Sequence, residues 1–341
     1  MASHDQLPDL ERFKVVENSV ILSIINFFGL PEPSKDTYQY AQESSSVTLQ
    51  QAQSALESGT TKYHYFHGST VVQIKDADID AYIGIFKSST DTAKALASFE
   101  SNAKKDSPRM SSARYLALRR ILPPTLQLTK KKSHENPYFE LWALCCHDLG
   151  FLGPLDTPSY SDPAASRQSH PILPVFMHHF GCAIPSYEAL GCINHVAQGR
   201  TVLDVGCGNG YWSALLRRAA VAVVPVDDCS STWRTGWVSD TVRADAVEFL
   251  RARDSSDEVL LLVYPITGHG LTGRILARYH GDTVVIVGTQ NRNRYTAFPD
   301  QTVDEHFALQ PDWQVVVRLP IPSFPGKDDA LYVIQKQSRD R

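Results

Sequence analysis

The sequence predicts an α/β protein in which a mainly helical N-terminal domain precedes a doubly wound, mainly parallel β-sheet. After residue 200, short β-branched runs alternate with helical stretches, which is typical of parallel strands joined by crossover helices. Before residue 150, apolar residues recur at helical spacing instead. A segment dense in Pro, Ser, Asp and Gly separates the two regions. We therefore predict a helical domain over 1–152, a connector over 153–174 and a sheet domain over 175–341.

Three helices with apolar positions at helical spacing are predicted in the N-terminal domain, besides an exposed polar helix. Prolines follow the first two, and Gly150 ends the third, which begins at Pro137. Between the first two, residues 36–60 are rich in Ser, Thr and Gln and predict a polar loop and an exposed helix. The apolar positions of the first two helices are Val20, Ile21, Ile24, Ile25 and Phe28, and Tyr115, Leu116, Leu118, Ile121 and Leu122.

The C-terminal domain is predicted to contain six clear strands and one weak strand. The clear strands are short apolar runs of the kind that is buried on both faces of a parallel sheet. A helix after the first strand is indicated by Trp212, Leu215 and Leu216, which share one helical face. The clear runs are 201–205, 221–226, 258–264, 283–288, 313–319 and 330–335, and the weak run is 241–244.

Composition limits the class of protein. The chain has 341 residues, 43% of them hydrophobic, which suits about two soluble domains. It has neither a transmembrane run nor a secretory signal, so we expect a cytoplasmic protein with no membrane partner. The six cysteines lack C-x-x-C spacing, so no metal is expected.

A formal charge of −4 gives no overall attraction to nucleic acid, although residues 104–132 carry a basic excess. This excess is either a solvated helical face or an anion or nucleic-acid contact.

The most informative stretch is residues 201–210, where an apolar strand runs into Asp204 and then into Gly206, Gly208 and Gly210. Glycines let the main chain approach a ligand closely, and the following helix directs its free N–H groups at the bound molecule. A dinucleotide fingerprint would need a glycine at Tyr211, and the phosphate-binding G-x-x-x-x-G-K-[ST] pattern is absent. The loop therefore predicts a nucleoside cofactor of another kind.

The run Val-Leu-Asp-Val-Gly-Cys-Gly-Asn-Gly resembles the first motif of the class I S-adenosylmethionine-dependent methyltransferases, whose fold is a Rossmann-like sheet of seven strands. The resemblance covers roughly residues 180–337. It implies S-adenosyl-L-methionine as the cofactor, with this loop curled around its methionine part. The cofactor-binding residues implied in the loop are Asp204, Gly206, Cys207, Gly208 and Gly210.

Two later strand ends resemble the same family in order and spacing. The resemblance implies that Asp227 binds both ribose hydroxyls, with the adjacent Asp228 as an alternative. It also implies that Asp245 accepts a hydrogen bond from the adenine amino group, while the N–H of Ala246 meets the ring. Aspartate also favours turns and helix caps, which is the alternative role for Asp227 and Asp245.

The fourth strand leads into the segment Tyr264-Pro-Ile-Thr-Gly-His269-Gly. Amino-methylating relatives often carry Asn/Asp-Pro-Pro-Tyr here, and only Pro265 of that pattern is present. His269 is a candidate general base because its unperturbed pKa lies near neutrality, the alternative being a loop histidine bonded to the backbone. Tyr264 is the second catalytic candidate, and it could instead line the cofactor pocket or simply pack.

The segment 174–188 resembles the lid helix of such enzymes, with Ser186 as a helix cap. Adjacent helical residues point about 100° apart, so the two histidines in it cannot act together on one atom. Trp233 and Trp237 could shield the adenine or an aromatic acceptor, or pack. The candidate acceptor-binding residues are His178, His179, Tyr187 and Trp233. Polar loop residues that could also contact a substrate are Gln290, Asn291, Asn293, Asp328 and Asp329.

The sequence thus predicts a methyltransferase that acts on an oxygen or nitrogen of a small organic molecule, with the N-terminal helices closing part of the pocket. One alternative is a nucleic-acid or protein methyltransferase that docks through residues 104–132. Another is a protein that retains the cofactor fold without methylating. The acceptor and the oligomeric state stay open.

Overall fold

The computed structural model of the chain describes residues 7–31, 33–40, 45–67, 70–124, 126, 128, 134–156, 171–291 and 295–337. Its helices are α1 (Val20–Phe28), α2 (Leu49–Glu57), α3 (Asp76–Gly84), α4 (Thr92–Ser101), α5 (Pro108–Arg119), α6 (Pro137–Leu149), α7 (Ile172–Phe180), α8 (Tyr187–Ala197), α9 (Tyr211–Arg218), α10 (Ala246–Arg251), α11 (Leu271–Leu276) and α12 (Val303–Ala308). Its strands are β1 (Thr37–Tyr40), β2 (Ser45–Thr48), β3 (Tyr65–His67), β4 (Thr70–Val72), β5 (Val202–Val205), β6 (Val223–Asp227), β7 (Val242–Arg243), β8 (Val259–Val263), β9 (Thr283–Thr289), β10 (Trp313–Pro320) and β11 (Asp329–Lys336).

Seven strands form one sheet in the order β10-β11-β9-β8-β5-β6-β7. Strands β5 to β9 are mutually parallel, and β11 lies antiparallel between β9 and β10. The predicted doubly wound, Rossmann-like sheet of seven strands is confirmed. Because β5, β6 and β8 are parallel, their carboxyl ends meet at one edge, which we call the carboxyl edge. The start of β11 lies at that same edge, since Asp329 pairs with Thr289 at the end of β9.

Helices cover both faces of this sheet, because alternate residues of each strand point to opposite sides. On one face Val202, Leu261 and Val285 join a buried cluster with the N-terminal helices and α7 to α9. On the other face Leu203 and Leu260 join a second cluster that includes residues of α10 to α12. Strands that are apolar on both faces explain why the sequence predicted them without alternation.

The N-terminal region contains the three predicted helices as α1, α5 and α6, but the predicted apolar face of the second is wrong in part. α5 ends at Arg119, so Ile121 and Leu122 lie beyond it, and Leu118 is exposed. Gly150 caps α6 in the left-handed conformation, with φ 61°, as predicted. The predicted exposed helix in residues 36–60 is α2. Two short hairpins, β1–β2 and β3–β4, were not predicted. Their strands are three or four residues long, and the first pair is rich in Ser and Thr, so they lack the apolar run that signals a strand.

The N-terminal helices and the sheet share one buried cluster of side chains. The fully buried Trp142 of α6 donates a hydrogen bond from Nε1 to the carbonyl oxygen of Ser323, at 3.0 Å. The ring of Tyr138, also on α6, stacks on Phe180 of α7 with the centroids 4.9 Å apart. The domain limits at residues 152 and 174 stay a prediction, and residues 157–170 of the connector lie outside the described part of the chain.

The segment 174–188, predicted to resemble one lid helix, is divided between two helices. α7 ends at Gly181, whose φ of 96° suits glycine, and α8 begins after Ser186. The Ser186 hydroxyl accepts a hydrogen bond from the Ala189 N–H at 3.1 Å, so its predicted role as a helix cap is confirmed. The loop 181–186 joins α7 to α8.

Candidate functional site

The glycine loop follows β5 at the carboxyl edge and ends at the first residue of α9. Gly206, Gly208 and Gly210 have φ values of 75°, 57° and 78°, which side-chain-bearing residues adopt only at a cost. The loop is tied to the neighbouring strand, because the N–H groups of Gly206 and Cys207 both donate to the Val226 carbonyl oxygen, at 2.8 and 3.1 Å. Local sequence thus determines a strand-to-helix turn at the edge where α/β sheets bind ligands.

The space around the three glycines differs. A Cβ at Gly206 would meet no atom within 4 Å, so this side of the loop is open. A Cβ at Gly208 would lie 2.9 Å from the Trp233 ring, and one at Gly210 would overlap Val238. Trp233 therefore packs on the loop, as the sequence left open, and its indole Nε1 is buried without a hydrogen-bond acceptor in the described structure.

Asp204, the last acid of the strand, is completely buried beneath the loop. Its Oδ2 accepts a hydrogen bond from the Ser213 hydroxyl at 2.6 Å, and its Oδ1 has no donor among the described residues. Burial raises the pKa of this carboxyl to about 7. A carboxyl group with an unsatisfied oxygen beside an open loop could accept a hydrogen bond from a ligand.

Asp227 ends β6 directly beside the loop. Its Oδ2 accepts a hydrogen bond from the Gly208 N–H at 2.9 Å, and its Oδ1 accepts one from the Cys229 N–H at 2.7 Å. A carboxylate offers about four acceptor positions, so Asp227 retains capacity for ligand hydroxyls. Asp228 is exposed and accepts a hydrogen bond from the Ser230 N–H at 2.8 Å, which is a turn interaction.

Asp245 and Ala246 follow β7, two strands away from the glycine loop. Asp245 is the N-cap of α10, where its Oδ1 accepts hydrogen bonds from the N–H groups of Val247 and Glu248, at 2.9 and 3.0 Å. The helix-cap role that the sequence left open for Asp245 is therefore present. A contact of these residues with adenine stays a prediction.

The segment after β8 begins with a strained residue. Tyr264 has φ 54°, a conformation that bulky side chains rarely adopt, and its N–H donates to the Val287 carbonyl oxygen at 2.7 Å. Its ring lies at the carboxyl edge, 4.6 Å from the Lys327 Nζ. His269, the other catalytic candidate, is exposed in a short 3₁₀ turn. Catalytic roles for both residues stay predictions.

The two histidines of α7 face the N-terminal region. His179 is buried; its Nε2 lies 2.7 Å from the Tyr38 hydroxyl and its Nδ1 lies 2.8 Å from the Thr235 hydroxyl. His178 Nε2 lies 2.8 Å from the Gln39 carbonyl oxygen, and its Nδ1 is buried without a partner among the described residues. His179 is therefore engaged by the protein itself, and acceptor binding by His178 stays a prediction.

Tyr187, a fourth acceptor candidate, lies on α8. Its hydroxyl donates to the carbonyl oxygen of His134 at 3.0 Å. Its side chain helps to line a cavity of about 480 Å³ together with Arg120 and Asn194. The residues that line this cavity do not include those of the glycine loop. Acceptor binding by Tyr187 stays a prediction.

A buried cluster at the start of β11 lies at the carboxyl edge and was only partly predicted. Lys327 is 7% exposed and its Nζ lies 3.4 Å from the Cys182 carbonyl oxygen, in the loop between α7 and α8. Asp328 accepts hydrogen bonds from the Tyr115 hydroxyl, the Gln290 N–H and the Asn291 side chain, at 2.5, 3.0 and 2.8 Å. From the sequence, Asp328 and Asp329 were expected to be loop residues first, and no role was predicted for Lys327. Only the position of β11 beside β9 brings them to the carboxyl edge. Asn293 lies outside the described residues.

Part of the basic excess at 104–132 is paired with acidic residues where the structure describes it. Arg109 forms an ion pair with Asp78 at 2.8 Å, and Arg120 forms one with Glu188 at 2.6 Å. Lys130, Lys131 and Lys132 lie outside the described residues. No helix in the described ranges is long and apolar enough to cross a membrane.

No protein-family model matches the chain, and no curated protein matches it. Several solved structures are similar to it. The 1,6-didemethyltoxoflavin-N1-methyltransferase of Burkholderia thailandensis is 19% identical over 44% of this chain and 77% of its own, with a TM-score of 0.33. A putative type 11 methyltransferase of Sulfolobus solfataricus is 12% identical over 42% and 87%, with a TM-score of 0.31. The mitomycin 7-O-methyltransferase MmcR is 14% identical over 44% and 56%, with a TM-score of 0.30. Each likeness covers less than half of this chain and concerns the fold.

Proposed function

We propose that this chain is an S-adenosylmethionine-dependent methyltransferase that methylates an oxygen or nitrogen of a small organic molecule. One observation carries the proposal. The glycine loop after β5 lies beside the Asp227 carboxylate at the end of β6, at the carboxyl edge of a doubly wound sheet. That edge, where crossovers diverge from the central strands, is where such sheets bind nucleoside-containing ligands.

The residues around the loop fit this cofactor. The open side of Gly206 can admit the methionine part, whose ammonium group matches the unsatisfied Oδ1 of buried Asp204. The remaining acceptor capacity of Asp227 matches the two ribose hydroxyls. Asp245 and Ala246 follow β7 at the same edge, and we assign the adenine to them. Cation and hydroxyl donors in the cofactor thus correspond to acceptors in the protein.

The cofactor supplies, when bound, a methyl group on a sulfonium centre that is ready for displacement. The chain then needs to align the acceptor and exclude water, which is the main requirement for an in-line displacement. The loop 181–186 and the aromatic side chains of α6 and α7 serve this purpose, because they pack over the carboxyl edge. Tyr138, for example, donates from its hydroxyl to the Gly181 carbonyl oxygen at 3.0 Å.

A small acceptor fits the charge distribution better than a nucleic acid does. The net charge of −4 gives no general attraction to phosphates, and Arg109 and Arg120 are held in ion pairs within the fold. A cytoplasmic location is part of the same proposal.

Titration calorimetry of the purified chain with S-adenosylhomocysteine tests the cofactor, with NAD⁺ and ATP as controls for general nucleotide binding. We expect saturable binding of S-adenosylhomocysteine and of S-adenosylmethionine, and none of the two controls. Incubation with S-adenosylmethionine and the small-molecule fraction of a cell extract should then form S-adenosylhomocysteine. Binding without any such product would favour a non-methylating protein, and absence of binding would refute the proposal.

A further inference from the structure

Lys327 is a buried ammonium that forms no ion pair with the residues that the structure describes. No carboxylate of the described residues lies within 4.0 Å of its Nζ. Its contacts are the Tyr264 ring, 4.6 Å away, and the Cys182 carbonyl oxygen, 3.4 Å away. An ammonium offers three donors, so this environment leaves it poorly satisfied. Burial of such a group costs free energy, which favours a role for it in binding a ligand.

The nearby carboxyl groups do not neutralise this charge by direct contact. Asp328 is occupied by its three donors, and Asp329 Oδ1 is buried without a donor in the described structure. Burial raises the pKa of both groups, that of Asp329 to about 7, so they are less charged near neutrality than exposed carboxylates. Cys182 and Tyr264 are the other titratable groups next to Lys327. Tyr115 lies beside Asp328, and Tyr138 lies beside Cys182.

Lys327 lies beside the end of β8, the strand next to the one that carries the glycine loop. Tyr264 follows β8, the strand that pairs with β5, and β5 carries the glycine loop. Neighbouring strands lie about 4.8 Å apart. The Lys327 ammonium, which contacts the Tyr264 ring, is therefore close enough to the glycine loop for one small molecule to touch both. The strained φ of Tyr264 holds its ring at this place.

We propose that Lys327 binds the oxygen atom that receives the methyl group, so that the acceptor is an oxyanion, either a phenolate or a carboxylate, and not an amine. This inference rests on the proposed function. A neutral amine has one lone pair, and a hydrogen bond from Lys327 would occupy the pair that the attack requires. A protonated amine would be repelled by the ammonium. An oxyanion keeps free lone pairs while it accepts the hydrogen bond.

The reaction balances without a protein base at the transfer step. A phenol loses its proton to solvent on binding, because the ammonium stabilises the anion. A lone pair of the bound oxygen forms the new bond to the methyl carbon as the carbon–sulfur bond breaks. The electron pair of that bond stays on sulfur, which gives neutral S-adenosylhomocysteine and a methyl ether, or a methyl ester from a carboxylate.

The test uses S-adenosylmethionine labelled with ¹³C in the methyl group and the small-molecule fraction of a cell extract. The carbon chemical shift of the product distinguishes a methyl on oxygen from a methyl on nitrogen, and base hydrolysis distinguishes an ester from an ether. The matched control is Lys336, at the other end of β11. Its Nζ lies 5.1 Å from the Trp313 ring and 3.3 Å from the His280 carbonyl oxygen, but the side chain is exposed.

We expect a product methylated on oxygen. Lys327→Met should lower kcat/KM about a hundredfold, the usual effect of losing one donor to a reacting oxyanion, without changing the affinity for S-adenosylhomocysteine. Lys336→Met should stay close to the wild type. With a phenolic acceptor, the rise of kcat/KM with pH should move to higher pH in Lys327→Met, because the bound hydroxyl is then harder to ionise. Lys327→Arg should restore part of the rate.

A product methylated on nitrogen would overturn the inference and leave the proposed function intact. Turnover of Lys327→Met within threefold of wild type would do the same. If Lys327→Met does not fold, the product from the wild type and the activity of Lys327→Arg still decide the matter. Bound S-adenosylhomocysteine without any labelled product would refute both methyl transfer and the inference, whereas absence of binding would refute the cofactor itself.

Discussion

The carboxylate of Asp227 lies 2.9 Å from the amide nitrogen of Gly208, so the end of β6 is joined directly to the glycine loop after β5. The other oxygen of the same carboxylate holds the Cys229 N–H at 2.7 Å. One side chain therefore fixes the shape of the loop and still offers acceptor positions to a ligand. The two functions of this side chain can be separated by experiment.

Asp227→Ala is expected to weaken S-adenosylhomocysteine binding by about tenfold to a hundredfold. Hydrogen bonds to a charged group contribute about 1.5–3 kcal/mol, and about 1.4 kcal/mol corresponds to a factor of ten. Calorimetry measures the affinity, and circular dichroism should show an unchanged fold. Asp228→Ala is the control, since the exposed Asp228 contacts only its own turn. Equal affinities for Asp227→Ala and wild type would assign the ribose role to Asp228 or remove it.

Two substitutions in the glycine loop should affect ligand affinity and the free energy of unfolding to different extents. Gly206→Ala places a methyl group in open space, so it should cost about 1–2 kcal/mol of backbone strain and also obstruct the ligand. Gly210→Ala combines the same strain with overlap on Val238, so it should destabilise the fold more. Urea denaturation and calorimetry on both variants measure the two effects. A Gly206→Ala protein that binds the cofactor as well as wild type would show that the open side of the loop is not the binding surface.

The raised pKa of Asp204 should make the free energy of unfolding depend on pH. Burial raises its pKa to about 7 from the usual 3.8, so the folded state binds the proton more tightly than the unfolded state. Stability contributed by this group is therefore complete below about pH 4 and decreases as the pH rises to about 7, by up to about 1 kcal/mol per pH unit. Asp329, whose pKa is raised to about 7 as well, adds to the slope in the same window.

Asp204→Asn should make this slope shallower, because the amide does not titrate and still accepts the hydrogen bond from Ser213. Urea denaturation of both proteins between pH 4 and pH 8 measures the difference. Parallel stability profiles for wild type and variant would mean that Asp204 ionises normally in the folded protein.

Tyr38 and Thr235 should be energetically coupled through His179. The Tyr38 hydroxyl lies 2.7 Å from one ring nitrogen of His179 and the Thr235 hydroxyl lies 2.8 Å from the other. Tyr38→Phe and Thr235→Val should each destabilise the fold by about 1 kcal/mol or more. Thr235→Val removes the hydrogen bond to His179, whereas Tyr38→Phe removes the one to His179 together with the one that its hydroxyl donates to Asp36 Oδ2. In the double variant the two losses should not add, because both bonds depend on one imidazole. Strict additivity in urea denaturation would show that the two bonds are independent.

The sheet could be predicted from the sequence because its strands are apolar on both faces, and Val202 to Val205 runs directly into a glycine pattern found in few folds. The roles predicted for Asp227 and Asp245 followed from the resemblance to the class I methyltransferases. Lys327 could not be found in the same way. It stands in a Pro- and Gly-containing loop that resembles a solvated turn, and its burial depends on the antiparallel insertion of β11 next to β9. His179 was likewise assigned to a ligand, because the Tyr38 hydroxyl that engages it lies 141 residues away in the chain.

The shared burial of α6 and α7 limits how molecules can reach the carboxyl edge. Lifting the N-terminal helices away as a body would expose Trp142, Tyr138 and Phe180, which are all fully buried. Each such side chain costs about 1.5–3 kcal/mol to expose, so a separation of this kind would be rare. A molecule that reaches the carboxyl edge is therefore expected to do so without separating the N-terminal helices from the sheet, for example from the open side of Gly206.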